Sequence, residues 1–284
     1  MTVYEALKYA EQQLNDAGIS TARLDALILL EDCTSIDRSQ LLAEPDRSLS
    51  VPQQTKLTKL LRRRVLHEPL AYIRGYTEFY GRNFVITPAV LEPRPESETM
   101  IDLLKCLVSP RQPEPVSGPS SPKTSQILHI ADIGTGSGAL GITAKIELPN
   151  TSVDLLEIDP EALQVAKMNV DKFTLKIRVL QSDLIANSDT NYDILLCNLP
   201  YVPDDYDINH AATHEPRLAI FGGPDGLVLY RNLFAQVAKL QKQPLYILTE
   251  SLPTQHTALS NIARKHNYKL QKTDDFIQLF MRIH

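Results

Sequence analysis

The sequence has few of the features that mark secreted or membrane-spanning proteins. Its three cysteines, Cys33, Cys106 and Cys197, have no CxxC spacing, which argues against a disulfide framework and favours a reducing compartment. No apolar run approaches the ~20 residues that a membrane span needs. The first residues place Glu5 and Lys8 in a helical pattern and lack the apolar core of a signal peptide. The sequence therefore predicts a cytoplasmic protein without a membrane segment.

The sequence also lacks an excess of basic residues. Lysine and arginine total 29 against 34 acidic residues, which gives a net charge of −5. A protein that coats nucleic acid needs a broad basic surface, so nucleic acid is an unlikely partner. One local basic cluster, Arg62–Arg64, ends a predicted helix, where it fits either a solvated helix end or a patch for phosphate or an acidic surface. The histidines are scattered, so no metal site is predicted.

The chain is long enough for two domains. Residues 1–74 predict only helices, the first opened by a capping box at Thr2 and Glu5, and we interpret them as a recognition domain. Residues 75–95 predict a β-hairpin connector. Residues 96–284 form the second domain, interrupted by a Pro/Ser-rich segment at 109–126 that we interpret as a mobile loop.

From residue 127 onward, strands and helices alternate. Strands are predicted at 127–133, 153–157, 176–181, 192–197, 245–250, 268–273 and 277–283. Helices are predicted at 138–148, 160–172, 226–240 and 255–266. Continuous Ile/Leu runs such as 194–196 are typical of parallel strands covered on both faces. The fold class is therefore α/β, with a doubly wound, mostly parallel, seven-stranded Rossmann-like sheet.

A glycine-rich turn follows the first strand of this sheet. Its residues Gly134, Thr135, Gly136, Ser137 and Gly138 let the backbone turn tightly and approach a ligand. Glu157 ends the second strand and can accept both hydroxyls of a ribose. Asp183 can accept a hydrogen bond from an adenine amino group while Leu184 packs on the ring. The turn alone does not distinguish a nicotinamide cofactor from S-adenosylmethionine.

The fourth strand ends in Asn198-Leu199-Pro200-Tyr201, and these residues favour methyl transfer. The side-chain oxygen of Asn198 and the backbone oxygen of Leu199 could accept both N–H groups of a planar amide or amine. Tyr201 could stack on that planar group. Catalysis would then come from alignment and electrostatics, without a strong base. No His/Asp or Ser/Tyr/Lys arrangement suited to hydride transfer is found.

Together these motifs resemble class I S-adenosylmethionine-dependent methyltransferases, and the wider set is similar to HemK-type protein-(glutamine-N5) methyltransferases. The further matching segments are 21–26, 68–75, 78–81, 91–98, 215–217 and 221–231. The resemblance implies that residues 96–284 bind S-adenosylmethionine, with S-adenosylhomocysteine as product, through the residues of the glycine turn, Glu157, Asp183, Leu184 and Asn198. It implies that Asn198–Tyr201 bind the glutamine of a Gly-Gly-Gln motif in a class 1 peptide chain release factor.

The sequence departs from the family in one position of this motif, because Leu199 replaces the first proline of the usual Asn-Pro-Pro-Tyr. Asn-Leu-Pro-Tyr also resembles ribosomal RNA adenine-N6 dimethyltransferases, so an adenine acceptor stays open, as does a ribosomal-protein glutamine. Arg94, between Pro93 and Pro95, is a further candidate for substrate binding, and a proline-rich connector is its alternative interpretation. A regulator that binds cofactor without turnover is the non-enzymatic alternative.

Overall fold

The computed structural model describes residues 1–108, 127–208 and 210–283, so the loop predicted at 109–126 lies outside the described residues. The chain divides into two compact units. The first consists of Met1–Tyr76 and Ile208–His214, and the second of Thr77–Asp207 and Glu215–His284. The functional division into a recognition domain, a connector and a second domain stays a prediction.

The first unit is helical. Its helices are α1 (Val3–Asp16), α2 (Ala22–Thr34), α3 (Arg38–Ala43), α4 (Val51–Val65) and α5 (Leu70–Arg74). The Thr2 hydroxyl accepts from the Glu5 amide while the Glu5 carboxylate accepts from the Thr2 amide, which confirms the predicted capping box. These hydrogen bonds satisfy backbone amides at the start of α1 that have no partner within the helix. The core of the unit consists largely of leucine and alanine side chains from α1, α2 and α4.

The basic cluster at the end of α4 is used largely inside this unit. Arg64 Nε donates to the Asp25 carboxylate at 2.7 Å, and Asp25 is buried. Arg63 Nε donates to Glu68 at 2.7 Å, whereas Arg62 is exposed. Two of the three guanidinium groups therefore form internal ion pairs, which neither interpretation of the cluster anticipated.

The second unit carries a hairpin and a large sheet. The hairpin strands are β1 (Tyr76–Phe79) and β2 (Arg82–Val85), as predicted. The sheet strands are β3 (His129–Ile133), β4 (Ser152–Glu157), β5 (Arg178–Gln181), β6 (Ile194–Cys197), β7 (Tyr246–Glu250), β8 (Tyr268–Asp274) and β9 (Ile277–Arg282). The helices are α6 (Glu98–Val108), α7 (Ala139–Glu147), α8 (Pro160–Lys172), α9 (Arg217–Ile220), α10 (Val228–Val237) and α11 (His256–Lys265).

The seven strands lie in the order β5-β4-β3-β6-β7-β9-β8. Strands β3 to β7 are parallel, and β9 pairs antiparallel with both β7 and β8. The predicted α/β class and mostly parallel sheet are therefore confirmed. The chain moves outward from β3 through β4 to β5, then returns to β6 on the other side. This reversal opens a crevice at the carboxyl ends of β3, β4 and β6, where open α/β sheets bind ligands.

Both faces of the sheet are covered. In β6, Ile194 and Leu196 pack into one core, which includes residues of α6 and α7, and Leu195 and Cys197 pack into the other, which includes residues of α10 and α11. A strand buried on both faces has no position where a polar side chain is tolerated, which explains the uninterrupted apolar run. The buried thiol of Cys197 belongs to this second core, and burial raises its pKa well above the ordinary value.

No helix among the residues that the structure describes has the length and apolar character to span a membrane. Those residues also contain no cluster of three or more His, Cys, Asp or Glu side chains able to hold a metal ion.

Candidate active site

The strand register brings four residues at the carboxyl ends of neighbouring strands into one row. Ile133 pairs with both Leu156 and Cys197, and Cys197 pairs with Thr249. The next residue on each strand therefore lies at the same level along the sheet edge. Two of these residues, Glu157 and Glu250, are the last residues of β4 and β7. The other two, Gly134 and Asn198, directly follow β3 and β6.

A cavity opens along this row. About 1140 Å³ of space lies between its walls, including solvent at its open mouth. Ten of the thirteen predicted site residues line it: Gly134, Thr135, Gly136, Ser137, Glu157, Asp183, Leu184, Asn198, Leu199 and Pro200. Gly138, Tyr201 and Arg94 do not line it.

Two buried carboxylates hold the glycine turn. Asp132 Oδ2 accepts from the Thr135 hydroxyl at 2.5 Å and from the Gly141 amide at 2.9 Å, and burial raises the pKa of Asp132 to about 6. On the cavity side, Glu157 accepts from the Gly136 amide at 2.8 Å. Hydrogen bonds from the turn to these two carboxylates therefore fix its conformation, and the turn lines the cavity.

The glycines of this turn have left-handed backbone conformations, with φ of 66°, 55° and 84° at Gly134, Gly136 and Gly138. A Cβ at Gly136 would meet no protein atom within 4 Å, so that backbone faces open space. A Cβ at Gly138 would lie 2.9 Å from Ile142 Cδ1. Gly138 therefore serves the packing of α7, and Gly136 leaves room for a ligand.

Glu157 and its neighbours form one wall of the cavity. The Glu157 side chain is buried, and its second oxygen accepts from the amides of Ile158 and Asp159. Burial raises the pKa of Glu157, and the three amide bonds counteract that effect. Further along, Asp183 is exposed in the cavity while the Leu184 side chain is buried. Asp159 caps α8 by accepting from the Glu161 amide.

Asn198 is held by a chain of hydrogen bonds. Its Nδ2 donates to Ser97 Oγ at 3.0 Å, and Ser97 Oγ donates to Glu250 Oε2 at 2.6 Å. No donor to Asn198 Oδ1 is found within the described ranges, and Asn198 lines the cavity. An amide acceptor is thus available at the cavity wall.

Tyr201 is held by two hydrogen bonds. Its hydroxyl donates to Glu250 Oε1 at 3.1 Å, and its backbone carbonyl accepts from Gln255 Nε2 at 2.7 Å. Burial, together with the Glu250 carboxylate, raises the pKa of Tyr201. Both its hydroxyl and its backbone are therefore held by hydrogen bonds, and the predicted stacking of its ring on the substrate stays a prediction.

Arg94 lies in an ion pair. Its Nη2 donates to Glu215 Oε2 at 2.6 Å, and its Nη1 lies 3.9 Å from Glu92 Oε2. The Glu215 side chain is almost fully buried, while that of Arg94 is 40% exposed. The neighbours Pro93 and Pro216 do line the cavity. The ion pair therefore fixes two segments of the cavity mouth, and the predicted contact of Arg94 with substrate stays a prediction.

Sequence reasoning missed Ser97 and Glu250. Glu250 ends an apolar strand in the same way as Glu157, and that pattern could have indicated it. Ser97 lies in the short 3-10 turn Pro95–Ser97 and has no comparable mark. Only contacts with residues more than 100 positions away reveal it.

A seven-stranded sheet of this order, with a glycine turn after its first strand, an acid ending the second and an Asn-x-Pro-Tyr after the fourth, defines a methyltransferase. Two family models match the chain, the PrmC N-terminal domain over residues 5–75 and the methyltransferase small domain over residues 122–215. A release factor glutamine methyltransferase of Koribacter versatilis is 33% identical over 255 residues, which cover 88% of this chain and 86% of that protein. The chain belongs to the release factor glutamine methyltransferase family.

Two other comparisons set the limits of this likeness. A bifunctional methyltransferase of Rickettsia typhi is 34% identical over 86% of this chain, and this chain spans about half (49%) of that longer protein. The N-terminal domain of human METTL16, solved in complex with SAH, has a TM-score of 0.50 with 16% sequence identity, covering 90% of this chain and 92% of that one. At this identity the likeness extends to the fold alone.

Proposed function

We propose that this protein transfers the methyl group of S-adenosylmethionine to the side-chain nitrogen N5 of the glutamine in the Gly-Gly-Gln motif of a class 1 peptide chain release factor. The observation that carries the proposal is the amide of Asn198, whose Oδ1 is left available at the wall of the cavity that contains the glycine turn. The name of the Koribacter versatilis relative supports the choice of acceptor.

The residues of the cavity fit S-adenosylmethionine. The Glu157 carboxylate can accept from the ribose hydroxyls, and the open backbone at Gly136 leaves space for the ligand beside it. Ile158 and Leu184 offer apolar surface for the adenine ring, and Asp183 offers an acceptor for its amino group. When bound, the donor supplies a methyl group made electrophilic by the positive sulfur.

The protein's contribution to the reaction is alignment. An amide nitrogen is a weak nucleophile because its lone pair is delocalised. Asn198 Oδ1 and the Leu199 carbonyl can accept its two N–H groups, which orients the nitrogen towards the methyl group. Transfer would form the bond from nitrogen to the methyl carbon as the carbon–sulfur bond breaks, which leaves S-adenosylhomocysteine, and the nitrogen would lose one proton to solvent. Holding both groups in line accelerates the step without a strong base.

Methyl transfer to a recombinant release factor tests the proposal. The protein, S-adenosylmethionine and the release factor are incubated together, and peptide mass spectrometry locates the product. We expect one added methyl on the Gly-Gly-Gln glutamine, and none on a matched release factor that carries glutamate at that position. Methylation of another protein glutamine, or of RNA adenine in a parallel reaction, would contradict the proposed acceptor and leave methyl transfer in place.

Asn198→Ala tests the assigned role. We expect kcat to fall by about 10²-fold or more, the usual effect of removing one group that stabilises the transition state. Affinity for S-adenosylhomocysteine, measured by calorimetry, should change little because the glycine turn and Glu157 remain. An unchanged kcat would contradict the role.

The cytoplasmic location and the absence of a nucleic-acid partner stay predictions from composition.

A further inference from the structure

Two side chains donate to the carboxylate of Glu250, and a third is linked to it through one of them. Ser97 Oγ donates to Oε2 at 2.6 Å and the Tyr201 hydroxyl donates to Oε1 at 3.1 Å. Asn198 Nδ2 donates to the same Ser97 Oγ at 3.0 Å. Glu250 is 1% exposed and does not line the cavity, so it does not contact a substrate.

The direction of these hydrogen bonds determines how the Asn198 amide is turned. A serine hydroxyl has one proton, and Ser97 gives it to the Glu250 carboxylate, which has none to offer. The Ser97 oxygen can then only accept from Asn198, so the NH₂ group faces Ser97. If the Asn198 amide were flipped, its oxygen would face a hydroxyl oxygen whose proton is already committed. Oδ1 is therefore left for the cavity.

We propose that Glu250 is a positioning residue, which acts through Ser97 to hold the Asn198 amide with its oxygen towards the acceptor amide of the substrate. This assignment rests on the proposed function. Through the Tyr201 hydroxyl, the same carboxylate also holds the other end of the Asn198–Tyr201 segment. One buried carboxylate thus orients both ends of the motif.

The assignment makes turnover depend on the charge of Glu250. Burial and the nearby Glu96 carboxylate raise the pKa of Glu250, while hydrogen bonding by the Ser97, Tyr201 and Asn198 side chains lowers it, and the net direction is upward. The other titratable groups nearby are Tyr230, whose hydroxyl donates to the Glu250 backbone carbonyl, and His256, which contacts the carbonyl of the following residue. Protonation removes one acceptor site from the Glu250 carboxyl, so kcat should fall as pH falls through a pKa above that of an ordinary glutamate.

Two serine variants give the sharpest test. Ser97→Ala removes the hydroxyl that links Glu250 to Asn198. Ser251→Ala removes a hydroxyl that is equally buried, is adjacent to Glu250, and has no hydrogen-bond partner in the described part of the chain. With the release factor as acceptor, we expect Ser97→Ala to lower kcat by about tenfold or more because the amide is no longer oriented. KM and S-adenosylhomocysteine affinity should change little, and Ser251→Ala should keep the wild-type kcat.

Glu250→Gln provides a second readout if Ser97→Ala does not fold. Its shape is nearly that of glutamate, but it does not titrate, so the acid-side fall of kcat at saturating donor should disappear. Equal kcat for Ser97→Ala and Ser251→Ala, or an unchanged acid limb in Glu250→Gln, would overturn the assignment while an active wild type upholds the proposed function. A wild-type protein that leaves the release-factor glutamine unmethylated would overturn both.

Discussion

Replacing Gly226 by alanine should separate the geometry of the Asn198–Tyr201 segment from the binding of the methyl donor. Gly226 has φ of 72°, and a Cβ there would lie 1.9 Å from the Tyr201 carbonyl oxygen and 2.4 Å from Gln255 Nε2. Real Cβ contacts are almost never shorter than 3.0 Å, so the two backbones must separate by about 1 Å. The Tyr201 carbonyl belongs to the backbone, so it cannot move aside as the end of a flexible side chain could.

The magnitude follows from two costs. An alanine with left-handed φ costs about 1–2 kcal/mol. Moving the Tyr201 carbonyl also breaks the Gln255 hydrogen bonds to Tyr201 and Asp225, at about 1 kcal/mol each. Gly81→Ala is the matched control, because Gly81 has φ of 69° and its Cβ would meet no atom within 4 Å. The two variants should therefore differ by about 2 kcal/mol in unfolding free energy, or roughly 4–8 °C in melting temperature.

Activity should respond more strongly than stability. A displacement of about 1 Å in a positioning segment can reduce kcat by about 10²-fold. Thermal unfolding, kcat with the release factor, and calorimetric titration with S-adenosylhomocysteine would measure the three effects. Donor affinity depends on the glycine turn and Glu157 and should stay near the wild-type value. If Gly226→Ala and Gly81→Ala had the same melting temperature and kcat, the argument from close approach would be wrong.

Two further predictions concern buried carboxylates. The pKa of Asp132 is raised in the folded protein from 3.8 to about 6, so the stability that protonated Asp132 contributes is present at low pH and is lost as pH rises from about 4 to about 6. In denaturant titrations over that interval, the wild type should lose about 3 kcal/mol of unfolding free energy relative to Asp132→Asn. Parallel pH profiles of the two proteins would contradict this. Arg64→Ala leaves the Asp25 carboxylate buried without its ion-pair partner and should cost about 3–5 kcal/mol in unfolding free energy. The exposed control Arg62→Ala should change the unfolding free energy by no more than about 0.5 kcal/mol. Equal losses would show that the Asp25 pair does not stabilise the unit.

Much of the fold could be predicted because its determinants are local. The apolar run before Asn198 indicated a strand buried on both faces, and the capping box at Thr2 marked the start of α1. The glycine turn was recognisable because glycine adopts its positive φ angles at low energetic cost, whereas other residues do not. Each of these patterns depends on neighbours within a few positions of the sequence.

The role of Tyr201 shows where such reasoning stops. Its place after a strand predicted an aromatic face at the cavity, and nothing in that pattern indicated that its hydroxyl donates to Glu250, 49 positions away. Arg94 was predicted from its flanking prolines, and its partner Glu215 lies 121 positions away. Sequence spacing contains no information on these partners, because the direction of a side chain depends on what packs around it.

The order of strands and helices along the chain, the glycine turn, and the polar residues Glu157 and Asn198 at strand ends could all be predicted, because periodicity and backbone preference are local properties. The hydrogen bonds that connect Ser97 with Asn198 and with Glu250 span 101 and 153 positions of the chain, so they are visible only in the folded protein. Hydrogen bonds are short and directional, so their partners are settled by the register of β6 against β7 and by the packing of the 95–97 turn against the sheet edge.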